Sequence, residues 1–167
     1  MGPWPRSSRR VLPVLVLATH VLGLAALGAT ACGGDGGIDD DEAAAVTGTV
    51  TYTRSGGIAG VSERVEVALP EGAVTAEPDP RFGDGDGPFH FTLGPDEVLE
   101  LQRALVAADL EGLRPSYGGG GADFFIDTVT YAGRTVSAGQ GSGPDALQEL
   151  LSLLGGLLGG PPGGAGG

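Results

Sequence analysis

Three arginines (Arg6, Arg9, Arg10) lead into an apolar run from Val11 to Leu27. The small residues Gly28, Ala29, Thr30 and Ala31 follow, and then Cys32, the one cysteine among 167 residues. This order constrains the fold more than any other feature. It removes the first 31 residues from the part of the chain that must bury a core, and it takes away the thiol that could have cross-linked that core. Positive charge holds the start of such a segment on the cytoplasmic side, the apolar stretch enters the translocon as a helix, and small residues fit a signal peptidase. The expectation is an export signal over residues 1–31, cut after Ala31. Two readings compete with it: a secretory signal followed by a chance cysteine, and an uncleaved helix, since Val11 to Ala31 is about long enough to cross a bilayer. Pro13, His20 and two glycines in that run argue against the helix. The Arg9-Arg10 pair leaves both general secretion and twin-arginine export open.

The tetrad Ala29-Thr30-Ala31-Cys32 resembles the lipobox of bacterial lipoproteins, where small residues precede an invariant cysteine. Ala29 stands where that pattern usually has leucine. The resemblance implies that Cys32 is lipidated, with a diacylglyceryl group on the thiol and an acyl chain such as palmitate on the new amino terminus. At about 0.8 kcal/mol per buried CH₂, two or more chains anchor stably. The implied location is the extracytoplasmic face of the cell membrane.

Cleavage after Ala31 leaves six arginines against 21 acids, a formal charge of −15. A surface so negative repels phosphate backbones and anionic headgroups, which argues against nucleic acid as a partner. Lysine and asparagine are absent throughout. A phosphate-binding loop with its lysine, a lysine Schiff base and N-glycosylation are therefore excluded. Residues 32–45 are glycine-rich and then acidic (Asp39, Asp40, Asp41, Glu42), the composition of a solvated tether. Residues 155–167 read as a flexible Gly/Pro-rich tail. The 109 residues from Val46 to Leu154 are enough for a single domain with its own core.

Alternation marks the strands. Val46, Val50 and Tyr52 share one face of the stretch to Thr53, and Val61, Val65, Val67 and Leu69 share one face of the next. Arg54 to Gly60, RSGGIAG, joins them as a hairpin. Pro70 to Pro88 is so rich in proline, glycine and acids that it reads as an exposed connection. Phe89, Phe91 and Leu93 form a third strand with His90 facing the other way. Pro95 opens a helix predicted to reach about Glu111, with Gly112 as its stop. DFFIDTVTYAGRTVSA reads as two strands turning at Ala132-Gly133, the first with apolar residues on both faces and so covered on both sides. Leu147, Leu150, Leu151 and Leu154 mark a last helix that ends at Gly155. The predicted fold class is α+β: a small antiparallel sheet of about five strands built from hairpins, with two helices on it.

The residue sets that catalysis or metal binding would need do not assemble in this sequence. No serine has glycines two before and two after it, so a nucleophile elbow is excluded. His90 is the one histidine after residue 31, which leaves no histidine-rich zinc site. Asp84-Gly-Asp86-Gly opens like a calcium loop, but Pro88 stands at a ligand position and no glutamate closes it. The expectation is a protein with no catalytic residues, metal or cofactor. The remaining local feature is the RSGGIAG turn. Either Ile58 tucks into the core, or Arg54 and Ile58 present a recognition surface on a rigid hairpin.

The strand bearing Arg54-Ser-Gly-Gly-Ile-Ala-Gly60, the strand after it, the helix from Pro95, the aromatic hairpin ending Gly133-Arg134-Thr135-Val136 and the closing leucine helix together resemble the emfourin family, protein inhibitors of thermolysin-like zinc metalloproteases. The likeness spans nearly all of Val46 to Leu154. Pro70 to Pro88 and the lipid anchor depart from it. What it implies is a non-enzymatic domain that blocks a secreted metalloprotease, with Arg54, Gly56, Gly57, Ile58, Ala59 and Gly60 as the candidate binding surface. The alternative is an envelope-associated lipoprotein with no protease target.

Overall fold

Valine and threonine alternate along strand β1 (Gly48–Gly56), and the same period of two shapes β2 (Val61–Leu69), so each strand turns an apolar row to one side. The two pair antiparallel from Gly48 opposite Leu69 to Gly56 opposite Val61. In the computed structural model, which describes residues 38–81, 87–118, 121 and 123–162, this hairpin forms the middle of the sheet. On the β2 side follow β3 (Ala73–Glu77) and β4 (Phe89–Thr92). On the β1 side follow β6 (Phe125–Tyr131) and β7 (Arg134–Gly139), with β5 (Ser116–Tyr117) at the far edge, giving the order β4-β3-β2-β1-β6-β7-β5. The expected signal, Cys32 and the Asp84–Asp86 stretch lie outside the described residues.

One face of the sheet carries Val50, Tyr52, Val65, Val67, Val74, Val129 and Val136, all almost wholly buried. Helices α2 (Pro95–Ala108) and α3 (Asp145–Gly156) cover it with Val98, Leu101 and Leu105, and with Leu147, Leu150, Leu151 and Leu154. Complete burial of a leucine side chain contributes about 1.5–3 kcal/mol relative to exposure, so the α3 stripe is a main source of stability. Glu97 accepts the Gly94 N–H at 2.7 Å and tightens the first turn of α2. The other face presents hydroxyls in register, with Thr128 and Ser137, and Thr130 and Thr135, each 2.9 Å apart. His90 belongs to that exposed face, its Nδ1 3.1 Å from Thr75 Oγ1.

The class is α+β, but the sheet has seven strands and is mixed, because β5 runs parallel to β7. Two of the additional elements reflect flanks that hide an interior. Pro70 and Pro78 bracket β3 without entering it. Val74 and Ala76 then turn inward and pair with β2 and β4, so Pro70 to Pro88 is not simply an exposed connection. Within the expected tether, Asp40–Ala44 forms a short helix α1, whose Ala43 is fully buried and whose Asp40 accepts Arg103 Nε at 3.0 Å. The buried Gln102 side chain of α2 donates through Nε2 at 2.8 Å to the carbonyl of Val46, just after α1.

Two boundaries and the covering of one strand differ as well. Helix α2 stops at Ala108 because Asp109 adopts a left-handed conformation, φ 39°, before Gly112 is reached. The expected tail is packed at its start, where Leu157 is buried in a short 3₁₀ turn, Leu157–Gly159. Strand β6 is covered on one side only: Ile126, and Phe124 just before the strand, remain 38% and 54% exposed. Among the described residues no helix is long and apolar enough to cross a membrane.

Candidate functional site at the first hairpin turn

The hairpin β1–β2 closes through Gly57, Ile58, Ala59 and Gly60, a turn that two other parts of the chain hold in place. On one side lies the entry to β6. Gly56 has φ 116°, and a Cβ on it would sit 2.3 Å from the Phe124 carbonyl oxygen, so only glycine permits this approach. The Gly57 N–H then donates to that same carbonyl at 3.1 Å. On the other side lies the segment after β3. Asp79, only 2% exposed, accepts the Ser62 N–H at 2.9 Å and the Arg81 N–H and Nε at 2.9 and 2.8 Å. Arg81 in turn donates to both turn carbonyls, Nη1 to Ala59 and Nη2 to Gly60 at 2.6 Å. The Arg81 side chain, followed by the backbone N–H groups of Arg81 and Ser62, holds the Asp79 carboxyl well below the usual carboxylate range.

Below the turn, a second polar group fixes Arg54. Its Nε donates to Asp127 Oδ1 at 2.8 Å, and the Tyr52 hydroxyl donates to the same oxygen at 2.6 Å. Arg54 and Asp127 face each other across the β1–β6 ladder, which explains the pairing. Burial, reinforced by the Asp127 hydrogen bond and charge, pushes the Tyr52 phenol far above its ordinary value. The guanidinium lies 6.0 Å from the centre of the Phe125 ring. Arg54 is thus part of the support for the turn rather than a group held out from it.

Ile58 is 87% exposed, so the alternative in which it tucks into the core is overturned. The reason is steric: with Phe125 beside Gly57 and Arg81 on the neighbouring carbonyls, the tip is held away from the core. A groove of about 470 Å³ opens beneath it, lined by Ile58, Ala59, Val61, Glu63, Asp123 and Phe125 together with Arg54 and Gly57. Gly56, Gly57 and Gly60 contribute backbone conformation, Ala59 a carbonyl acceptor, and Ile58 the exposed apolar tip. All six candidate residues, Arg54 and Gly56 to Gly60, therefore meet at one end of the sheet.

Sequence reasoning missed the residues that hold these in place, Asp79, Arg81 and Asp127, and the two further carboxylates that line the groove, Glu63 and Asp123. Only Asp127 carried a usable signal, being a charge inside an otherwise apolar alternation. The arrangement offers shape and fixed donors. Asp127 accepts from two donors and Asp79 from several, so both carboxylates are tied into the support of the turn. Among the described residues no group of three His, Cys, Asp or Glu side chains is placed to hold a metal ion. The chain matches no protein-family model and no curated protein at a significant level.

Proposed function

We propose that this chain is an exported, non-enzymatic lipoprotein, anchored through Cys32, whose α+β domain presents the β1–β2 turn to a protein partner. The partner class implied by the emfourin-like features is a secreted thermolysin-like metalloprotease. The observation that carries the reading is the combination at Ile58: a large apolar side chain almost fully exposed on a turn that Arg81 and Phe124 hold from two directions. A pre-ordered loop loses little conformational freedom on binding, so more of its contact energy is expressed as affinity. Exposed apolar tips of this kind serve as anchors in protein interfaces.

Titration against a panel of thermolysin-like metalloproteases tests the partner class. Inhibition of at least one enzyme, lost in Ile58→Asp with the fold intact, is the expected result; no inhibition of any panel member contradicts it. The anchor is tested separately by mass spectrometry of the mature amino terminus. An acylated Cys32, and release of the protein in Cys32→Ser, are expected, whereas an unmodified terminus refutes lipidation.

A further inference from the structure

We infer that the groove beneath the hairpin turn receives a polypeptide segment carrying an arginine or lysine side chain between apolar ones. This rests on the reading of the hairpin end as a protein-binding surface and goes on to name the chemistry of the partner. The first reason is charge. The groove and its support hold two guanidiniums, Arg54 and Arg81, and four carboxylates, Glu63, Asp79, Asp123 and Asp127. Arg54 is engaged by Asp127 and Arg81 by Asp79; Glu63 stands opposite Arg54 in the β1–β2 ladder, yet among the described residues neither Glu63 nor Asp123 makes a close ion pair or a side-chain hydrogen bond. A net charge of two negatives therefore faces whatever enters. A cationic group gains from it, while an acidic one is repelled.

The second reason is the floor. Phe125, Val61 and Ile58 give the groove an apolar surface. Arginine and lysine fit such a site because their aliphatic stems lie on apolar surface while the charged head stays at the wet rim. Glu63 and Asp123 would meet that head, and flanking apolar side chains would cover Ile58. The groove volume of about 470 Å³ lies within the roughly 300–1,000 Å³ typical of ligand clefts. The charge of −15 expected after cleavage at Ala31 acts in the same direction at longer range, drawing cationic segments toward the domain.

Fluorescence anisotropy on the full-length chain in nonionic detergent tests this. The probes are three dye-labelled peptides alternating leucine with arginine, with glutamate or with serine. The arginine peptide is expected to bind most tightly and to weaken as salt is added. Glu63→Gln and Asp123→Asn should each weaken it about threefold, the scale of a partly exposed ion pair. Glu149→Gln, which removes the same charge from an exposed position on α3, should leave it unchanged. Equal binding of the three peptides, no binding of the arginine peptide, or equal losses in Glu63→Gln and Glu149→Gln would overturn the inference. The protease titration separates the two proposals. Inhibition lost in Ile58→Asp yet unchanged in both Glu63→Gln and Asp123→Asn would leave the presented turn standing and remove the basic segment. Peptide binding that responds to Glu63, with no protease inhibited, would do the reverse to the partner class.

Discussion

Two hairpins, β1–β2 and β6–β7, are joined through the β1–β6 ladder, and their turns are built in opposite ways. At Ala132-Gly133 the backbone has φ 48° and 79°, the left-handed pair that a two-residue turn needs to follow the strand twist. A Cβ added to Gly133 would meet nothing within 4 Å. That turn closes by its own geometry. The β1–β2 turn is two residues longer and depends on Phe124, just before β6, and on Asp79 and Arg81, in the segment after β3. A connection needs only to close, whereas a turn held by distant parts of the chain has its shape specified. The difference sets the turn proposed above as the recognition surface apart from one that only connects two strands.

Gly56→Ala should do the most damage, because it combines a strained φ with a 2.3 Å clash against the Phe124 carbonyl. A loss of about 3 kcal/mol or more is expected by urea denaturation. Tyr52→Phe should cost about 1.5 kcal/mol through the lost hydrogen bond to a carboxylate, and it also changes the response to pH. Since the phenol is raised above its ordinary 10.0 in the folded state, the unfolded chain releases that proton first as pH rises. The contribution is complete below pH 10.0 and is lost above it, and Tyr52→Phe should flatten this decline. Gly133→Ala should cost about 1 kcal/mol, the conformational penalty alone. A result equal to that of Gly56→Ala would erase the contrast between the turns.

Asp79→Asn sharpens the contrast with a smaller effect. It should raise hydrogen exchange at the Ser62 amide, which donates to Asp79, while the turn at Ala132-Gly133 stays unchanged. Acid should mimic it: the Asp79 carboxyl is depressed below its ordinary 3.8 in the fold, so its contribution is present above that value and fades as pH falls through the lower folded one. Unchanged exchange at Ser62 in the variant would mean that the segment after β3 does not hold the turn.

Local periodicity made most of this architecture legible. The alternation of Val50 and Tyr52, of Val65 and Val67, and of Phe89 and Phe91, with the leucine spacing of α3, placed five strands and two helices near where they lie. β3 escaped because the prolines and acids around it dominate the composition, although the five residues between Pro70–Gly72 and Pro78 alternate like any strand. β5 is two residues long and exists through its pairing with β7. At the candidate site the turn residues could be read, but the fate of Ile58 could not. Its exposure depends on Gly57 meeting Phe124 and on Arg81 reaching back 22 residues to Ala59. Contacts between positions so far apart leave no local pattern.

Backbone ¹⁵N relaxation at Ile58 tests the central claim without requiring any partner. A turn shaped by Arg81 and Phe124 should hold the Ile58 amide at an order parameter of about 0.8, near that of a rigid backbone, despite 87% exposure of the residue, and Asp79→Asn should lower it. An Ile58 order parameter below about 0.6 in the unaltered protein, the range of a flexible loop, would contradict the account.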